Sequence, residues 1–222
     1  MKVWVSLVFG LVLSFFISFL LGFVIIPELR KLKFGQTILD IGPAWHKSKQ
    51  GTPTMGGIMF IISTVVSFAI VIITDKLLGG NLIASGSVVE DSVKVKTFAG
   101  ILMALGFGII GFADDYIKVA KKRNLGLTIK QKSIAQILLM LAYLGALYMS
   151  GTTFMSIPFV GNVDLKWFFW FFGMGVIYLT VNAVNFTDGV DGLCGSVTAS
   201  AALAFVVIAT LKGFFGVGIL AS

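Results

Sequence analysis

Apolar residues run almost unbroken for about twenty positions at six places along the chain, and charged residues are confined to the stretches between them. A helix needs about 17–25 mainly apolar residues to cross a bilayer. On that measure the pattern predicts spans at 3–26, 54–74, 97–113, 133–150, 167–184 and 193–211. The fold class expected is therefore all-α, a polytopic membrane protein forming one integral membrane domain over residues 1–222. The first run is too long for the apolar core of a cleaved signal peptide, about 7–15 residues, and no small-x-small site follows it. It is read as the first span. Between the fourth and fifth spans, "GTTFMSIPFVGNVDLK" (151–166) carries strand-favouring residues around Pro158 and Gly161, which predicts a short external β-hairpin.

Composition agrees with the pattern. The 222 residues are 57% hydrophobic and only 12% charged, with a mean hydropathy of +1.00. A soluble domain averages about 25% charged residues. The net charge of +7 does not indicate nucleic acid, because the basic residues sit in the loops. Arg30, Lys31, Lys33, Lys47 and Lys49 lie in one loop, and Lys118, Lys121, Lys122, Arg123, Lys130 and Lys132 in another. The opposite side has only Lys76, Lys94, Lys96 and Lys166. The positive-inside rule makes the first set cytoplasmic and puts both ends of this chain outside. Cys194 is the single cysteine, so no intramolecular disulfide is available. After Lys212 the chain reads "GFFGVGILAS" to Ser222, an apolar start too short to span, which points to a fragment of a longer protein.

Three stretches carry candidate chemistry. "GIIGFADDYIKV" (108–119) ends the third apolar run in Asp114 and Asp115. An Asp at mid-membrane costs about 2.5–3.5 kcal/mol, so the pair belongs at the cytoplasmic end of the span. There it is either a solvated helix end, with Asp114 paired to Lys118, or part of a site. "VNAVNFTDGVDG" (181–192) places Asn182, Asn185, Asp188 and Asp191 three apart, with Gly189 and Gly192 permitting a tight turn. The topology puts this cluster at the same surface as the paired acids. Four carboxylates and two amides suit a hard cation such as Mg²⁺. "HKSKQGTPTMGG" (46–57) is basic, then glycine-rich, and leads into the second span, as a phosphate-binding helix entry would. The lone His46 is read as an interfacial hydrogen-bonder. Together the stretches describe phosphoryl transfer at a membrane surface, between a soluble nucleotide and a lipid.

"GTPTMGG", "ADDYIKV" and "NAVNFTDGVDG", in that order, closely resemble the phospho-N-acetylmuramoyl-pentapeptide transferase family, of the polyprenyl-phosphate N-acetylhexosamine-1-phosphate transferase superfamily. The resemblance implies transfer of phospho-MurNAc-pentapeptide from UDP-MurNAc-pentapeptide to undecaprenyl phosphate, giving lipid I and UMP, with Mg²⁺ as cofactor, in bacterial peptidoglycan synthesis. It implies Asp114, Asp115 and Asp188 as catalytic residues. Lys49, Thr54, Lys130, Asn182, Asn185 and Asp191 fall at substrate-binding positions, and Asp188 with Asn185 at the metal. It implies an inner-membrane location with a cytoplasmic site, and the partners expected are the two substrates, the lipid bilayer and a second copy in a homodimer. The family has about ten spans, with a further metal-binding Asp and a histidine-rich loop in its later part. Neither has a counterpart here, and both are expected beyond Ser222. This chain alone is therefore expected to be inactive. Two chemical schemes stay open, direct attack by the lipid phosphate and a phospho-enzyme. The first is favoured because a phosphate monoester, with a second pKa near 6, is already largely dianionic at pH 7. The alternatives are a sister transferase using another UDP-N-acetylhexosamine and a non-catalytic fragment. A transporter is disfavoured because such proteins place ionisable groups within their spans.

Overall fold

The computed structural model describes residues 3–31, 53–80, 88–121, 125–157, 159–189 and 191–211. Six long helices follow one another: α1 (Val3–Lys31), α2 (Gly57–Leu77), α3 (Val88–Ala120), α4 (Ile129–Met149), α5 (Phe168–Thr187) and α6 (Leu193–Leu211). All six are long and apolar enough to cross a bilayer. The chain is a multi-pass membrane protein of the all-α class. The expected hairpin is present as β1 (Phe154–Ile157) and β2 (Gly161–Asp164), paired antiparallel with Phe154 opposite Asp164 and Ile157 opposite Gly161. The Thr153 hydroxyl donates to the Asp164 carboxylate at 2.7 Å and closes its base.

Each helix packs against its neighbours in sequence. Large apolar side chains such as Phe15, Phe23, Leu102 and Phe205 remain exposed on the outside of the bundle, which is what a lipid-facing surface requires. The packed core joins Leu7 of α1, Phe68 and Val71 of α2, and partly buried Ile101 of α3 and Val206 of α6. These positions lie toward the helix ends remote from Asp114, so the acidic end of the bundle is left to line a cavity. Close crossings bring the helices together there. A Cβ on Gly108 would come within 2.7 Å of the Ile61 side-chain tip, so Ile61 of α2 fills the space that Gly108 of α3 leaves open.

Two boundaries differ from the apolar runs. The expected third span, 97–113, lies inside a helix extending from Val88 to Ala120. Apolarity ends at the membrane surface, but "DDYIKVA" keeps its helical conformation beyond it, held by ion pairs from Lys118 to both aspartates. The fourth helix starts at Ile129 rather than 133 because Thr128 and Gln131 form a capping box. The Thr128 hydroxyl accepts the Gln131 N–H at 3.2 Å, and the Gln131 side chain accepts the Thr128 N–H at 3.0 Å. The apolar segment after Lys212, through Ser222, lies outside the described residues.

Candidate active site

The three stretches singled out in the sequence meet at one cavity of about 880 Å³. Its walls are the entry to α2 (Pro53–Ile61), the end of α3 (Gly108, Gly111, Phe112, Asp114, Asp115 and Lys118), Lys132 of α4, and Asn185 and Asp188 at the end of α5. Residues from Pro53 to Asp188 thus share a surface, because the ends of these helices lie on one side of the bundle.

The paired acids are half-buried and differently engaged. Asp114 Oδ2 lies 2.7 Å from Lys118 Nζ, and its Oδ1 accepts the Leu127 N–H at 2.8 Å. Both oxygens are therefore occupied, and Asp114 ties the 125–127 segment to α3. Gly126 makes that contact possible, since a Cβ there would lie 2.6 Å from the Asp114 carbonyl oxygen. Asp115 meets the same ammonium through Oδ1 at 2.9 Å. Lys118 thus sits between two carboxylates and offsets half of their charge. With Lys132 and Asp188 the cavity has charges of both signs, as a site for a cation and a diphosphate together must.

Asn185 and Asp188 are placed differently. Both residues are exposed and line the cavity, and neither side chain makes a hydrogen bond or ion pair among the described residues. Asp188 is the residue on which α5 ends, its N–H bonded to the Val184 carbonyl. One amide oxygen and one carboxylate are hard donors, and Mg²⁺ commonly takes one or two carboxylates and completes its octahedron with water and substrate phosphate. The residues present fit that ion as part of its shell. Among the described residues no three acidic, histidine or cysteine side chains are grouped to enclose a metal by themselves.

The entry to α2 shows two further signs of a ligand site. Met55 has φ 71°, an uncommon conformation for a residue with a side chain. Thr54 Oγ1 is buried with no hydrogen-bond partner among the described residues, although buried polar atoms are nearly always paired.

Other candidates lie elsewhere. Asn182, one turn before Asn185, donates to the Tyr178 carbonyl at 2.8 Å and to the buried Gln136 at 3.4 Å, forming a polar seam between α4 and α5. Lys130 is exposed on the first turn of α4 and does not line the cavity; Lys132, two residues on, does. Asp191 is exposed in the turn before α6, where Gly192 takes φ 78°. Lys49, Lys47 and His46 lie outside the described residues. So does Ser222. Sequence reasoning missed Lys132 and Gly126. The T-x-x-Q cap marked where α4 begins, and Lys132 on its first turn lies close enough to Asp114 for the two charges to interact.

The family model described as glycosyl transferase family 4 matches residues 97–221, more than half of the chain, and the chain belongs to that family. Residues 49–61 match the phospho-N-acetylmuramoyl-pentapeptide-transferase signature 1. The chain is similar to proteins of that name from Halalkalibacterium halodurans (41% identical over 215 residues, 96% of this chain and 62% of the relative), from Desulforamulus reducens (41% over 212 residues, 93% and 59%) and from Bacillus mycoides (42% over 210 residues, 93% and 60%). It therefore spans about 60% of the length of the curated relatives it matches.

Proposed function

We propose that the chain is the N-terminal part of an enzyme that transfers phospho-MurNAc-pentapeptide from UDP-MurNAc-pentapeptide to undecaprenyl phosphate, releasing UMP. The observation that carries the reading is the meeting of three separate motif stretches at one cavity on one side of a membrane bundle. The signature match over 49–61 favours the muramoyl branch over a sister enzyme using another UDP-amino sugar. The excess of basic residues beside the cavity favours a cytoplasmic site in the bacterial inner membrane.

The residues divide the work as follows. Lys132, with Lys49 from the sequence ahead of α2, binds the diphosphate. The partnerless Thr54 hydroxyl donates to the bound nucleotide substrate. Asp188 and Asn185 would hold Mg²⁺, which would supply positive charge to the diphosphate. Asp115 keeps Lys118 directed into the cavity, and the Lys118 ammonium orients the incoming lipid phosphate. That phosphate is its own nucleophile, because at pH 7 it needs no proton removed. Asp114, with both oxygens engaged, positions the 125–127 segment. The 222 residues alone are proposed not to turn over, since they span only about 60% of the length of the relatives they match.

The test extends the chain past Ser222 with the C-terminal part of the Halalkalibacterium relative and offers UDP-MurNAc-pentapeptide and UDP-GlcNAc separately, with undecaprenyl phosphate and Mg²⁺. UMP release from the first alone is the expected result. Release from UDP-GlcNAc alone would make the protein a sister transferase.

A further inference from the structure

At the far ends of α4 and α5 lies another cavity, of about 470 Å³. It is lined by Tyr148 at the end of α4, Thr153 and Asp164 at the base of the hairpin, and Lys166, Trp167 and Trp170 leading into α5. α4 carries Lys132 of the acidic cavity on its first turn and Tyr148 on its last. Its 21 residues make about 31 Å of helix, against a hydrocarbon core of about 30 Å. The two cavities therefore stand at the two headgroup levels of one bilayer. We propose that the second pocket binds the headgroup of a membrane lipid that carries both a phosphate and a primary ammonium, as phosphoethanolamine does. The site needs only the helical bundle and is independent of the transferase reading.

Trp and Tyr at this depth are ordinary interfacial anchors. Two opposite charges held apart in the same pocket are not. Asp164 Oδ1 accepts both of its internal hydrogen bonds, from the Thr153 hydroxyl at 2.7 Å and the Lys166 N–H at 3.1 Å. Its Oδ2 accepts none among the described residues, and the Lys166 ammonium makes no ion pair with it although both residues line the cavity. Lys166 takes φ 46°, a conformation uncommon for a residue with a side chain. Its N–H on Asp164, and its carbonyl accepting the Phe169 N–H at 3.3 Å, hold it there. The pocket thus presents an acceptor for a cation and a donor for an anion. Tyr148 and Trp170, with ring centroids 5.6 Å apart, add aromatic surface that favours an ammonium. The indole N–H groups of Trp167 and Trp170 make no hydrogen bond among the described residues, and each can donate to a phosphate oxygen. Tyr148 and Trp167 are exposed, so a headgroup reaches the pocket from the lipid side. The charges also select among headgroups. A purely anionic glycerol headgroup brings its phosphate to Asp164 with no cation to offset the repulsion. A choline ammonium has no N–H to donate to the carboxylate, whereas a primary ammonium makes a charge-assisted hydrogen bond there.

The test offers the 222-residue chain, in mild detergent, equimolar phosphatidylethanolamine, phosphatidylcholine and phosphatidylglycerol with the same acyl chains. Bound lipid is counted by native mass spectrometry. Phosphatidylethanolamine should be retained about tenfold over either of the others, as one charge-assisted hydrogen bond allows. Lys166→Gln keeps the backbone N–H and should lower that retention about tenfold, with amide exchange in β1 and β2 unchanged. Asp164→Asn should erase the preference for the ethanolamine lipid over the glycerol lipid. Lys121→Gln, which removes an exposed cation at the other membrane surface, should change nothing. Equal retention of the three lipids, parental retention by Lys166→Gln, or an equal loss in Lys121→Gln would each overturn the assignment. Water-soluble phosphoethanolamine should displace the lipid only in large excess. Displacement at equimolar amounts would make the occupant a soluble zwitterion and overturn the lipid as its source.

Discussion

Gly126→Ala is the most discriminating single substitution for the geometry of the site. Gly126 touches no substrate directly in this account, yet its Cβ position lies 2.6 Å from the Asp114 carbonyl oxygen and 2.8 Å from Asp114 Cγ. Ordinary van der Waals contact begins near 3.4 Å, so the 125–127 segment must retreat from α3 by about 0.8 Å. The backbone of α3 is held by its own hydrogen bonds, so the movement falls on the loop. The Leu127 N–H then leaves Asp114 Oδ1, from which it is now 2.8 Å. A hydrogen bond to a charged group contributes about 1.5–3 kcal/mol. The loop leads through Thr128 into α4 and so carries Lys132 with it. Misplacing a group in a reacting site by about 1 Å can cost about 100-fold in rate. We therefore expect UMP release by the extended chain to fall about 30- to 100-fold, while the helical circular dichroism of the purified protein stays that of the parent. A rate within about twofold of the parent would show that Asp114 and its loop do not position the site.

Four further outcomes follow from particular residues. Lys49→Ala should raise the KM for the nucleotide substrate with little change in kcat, because its charge acts on the diphosphate in ground and transition states alike; a pure kcat effect would contradict that role. Thr128→Ala removes the cap of α4 and should cost about 1 kcal/mol, read as a lower melting temperature in detergent; an unchanged melting temperature would remove the cap from the account. The Thr153 hydroxyl, and after it the Lys166 N–H, hold the carboxyl of Asp164 below the usual carboxylate range. The hairpin's stabilisation is then full above the unfolded pKa of about 3.9 and is lost as pH falls through the lower folded value. Amide exchange in β1 and β2 should accelerate only in that acidic window, and Asp164→Asn should abolish the dependence. A cysteine placed near Arg123 should be labelled only after the cytoplasmic side is opened, and one near Gly86 from outside; the reverse would place the acids away from a soluble nucleotide.

The bundle was legible because bilayer thickness sets helix length, and the six apolar runs each fall within or nearly match an observed helix. The site was legible to the extent that side-chain chemistry sits at helix ends. Asp114, Asp115, Asn185, Asp188 and Thr54 were named from the chain and line one cavity. Spacing alone could not separate Asn182 from Asn185. The two share a helix face, but Asn182 lies one turn deeper, where its amide serves Gln136 and the Tyr178 carbonyl. Nor could it choose Lys132 over Lys130, because that depends on the rotation of α4, which its packing against α3 and α5 sets and its charge does not. Gly126 was unreadable for a related reason. Its importance lies in what a Cβ would strike across the gap to α3, and the sequence does not contain that distance.

The claim that carboxylates from α3 and α5 act on one transferred phosphoryl group is tested most directly by Asp115→Asn and Asp188→Asn. Each change is nearly isosteric and removes one negative charge. The measurement is Mg²⁺-dependent UMP formation from UDP-MurNAc-pentapeptide and undecaprenyl phosphate by the extended chain, at saturating substrate. The account predicts a fall of about 100- to 1,000-fold for each variant, with helical content and membrane insertion unchanged. A near-parental rate in either variant would contradict it, and would return that carboxylate to the role of a solvated helix end.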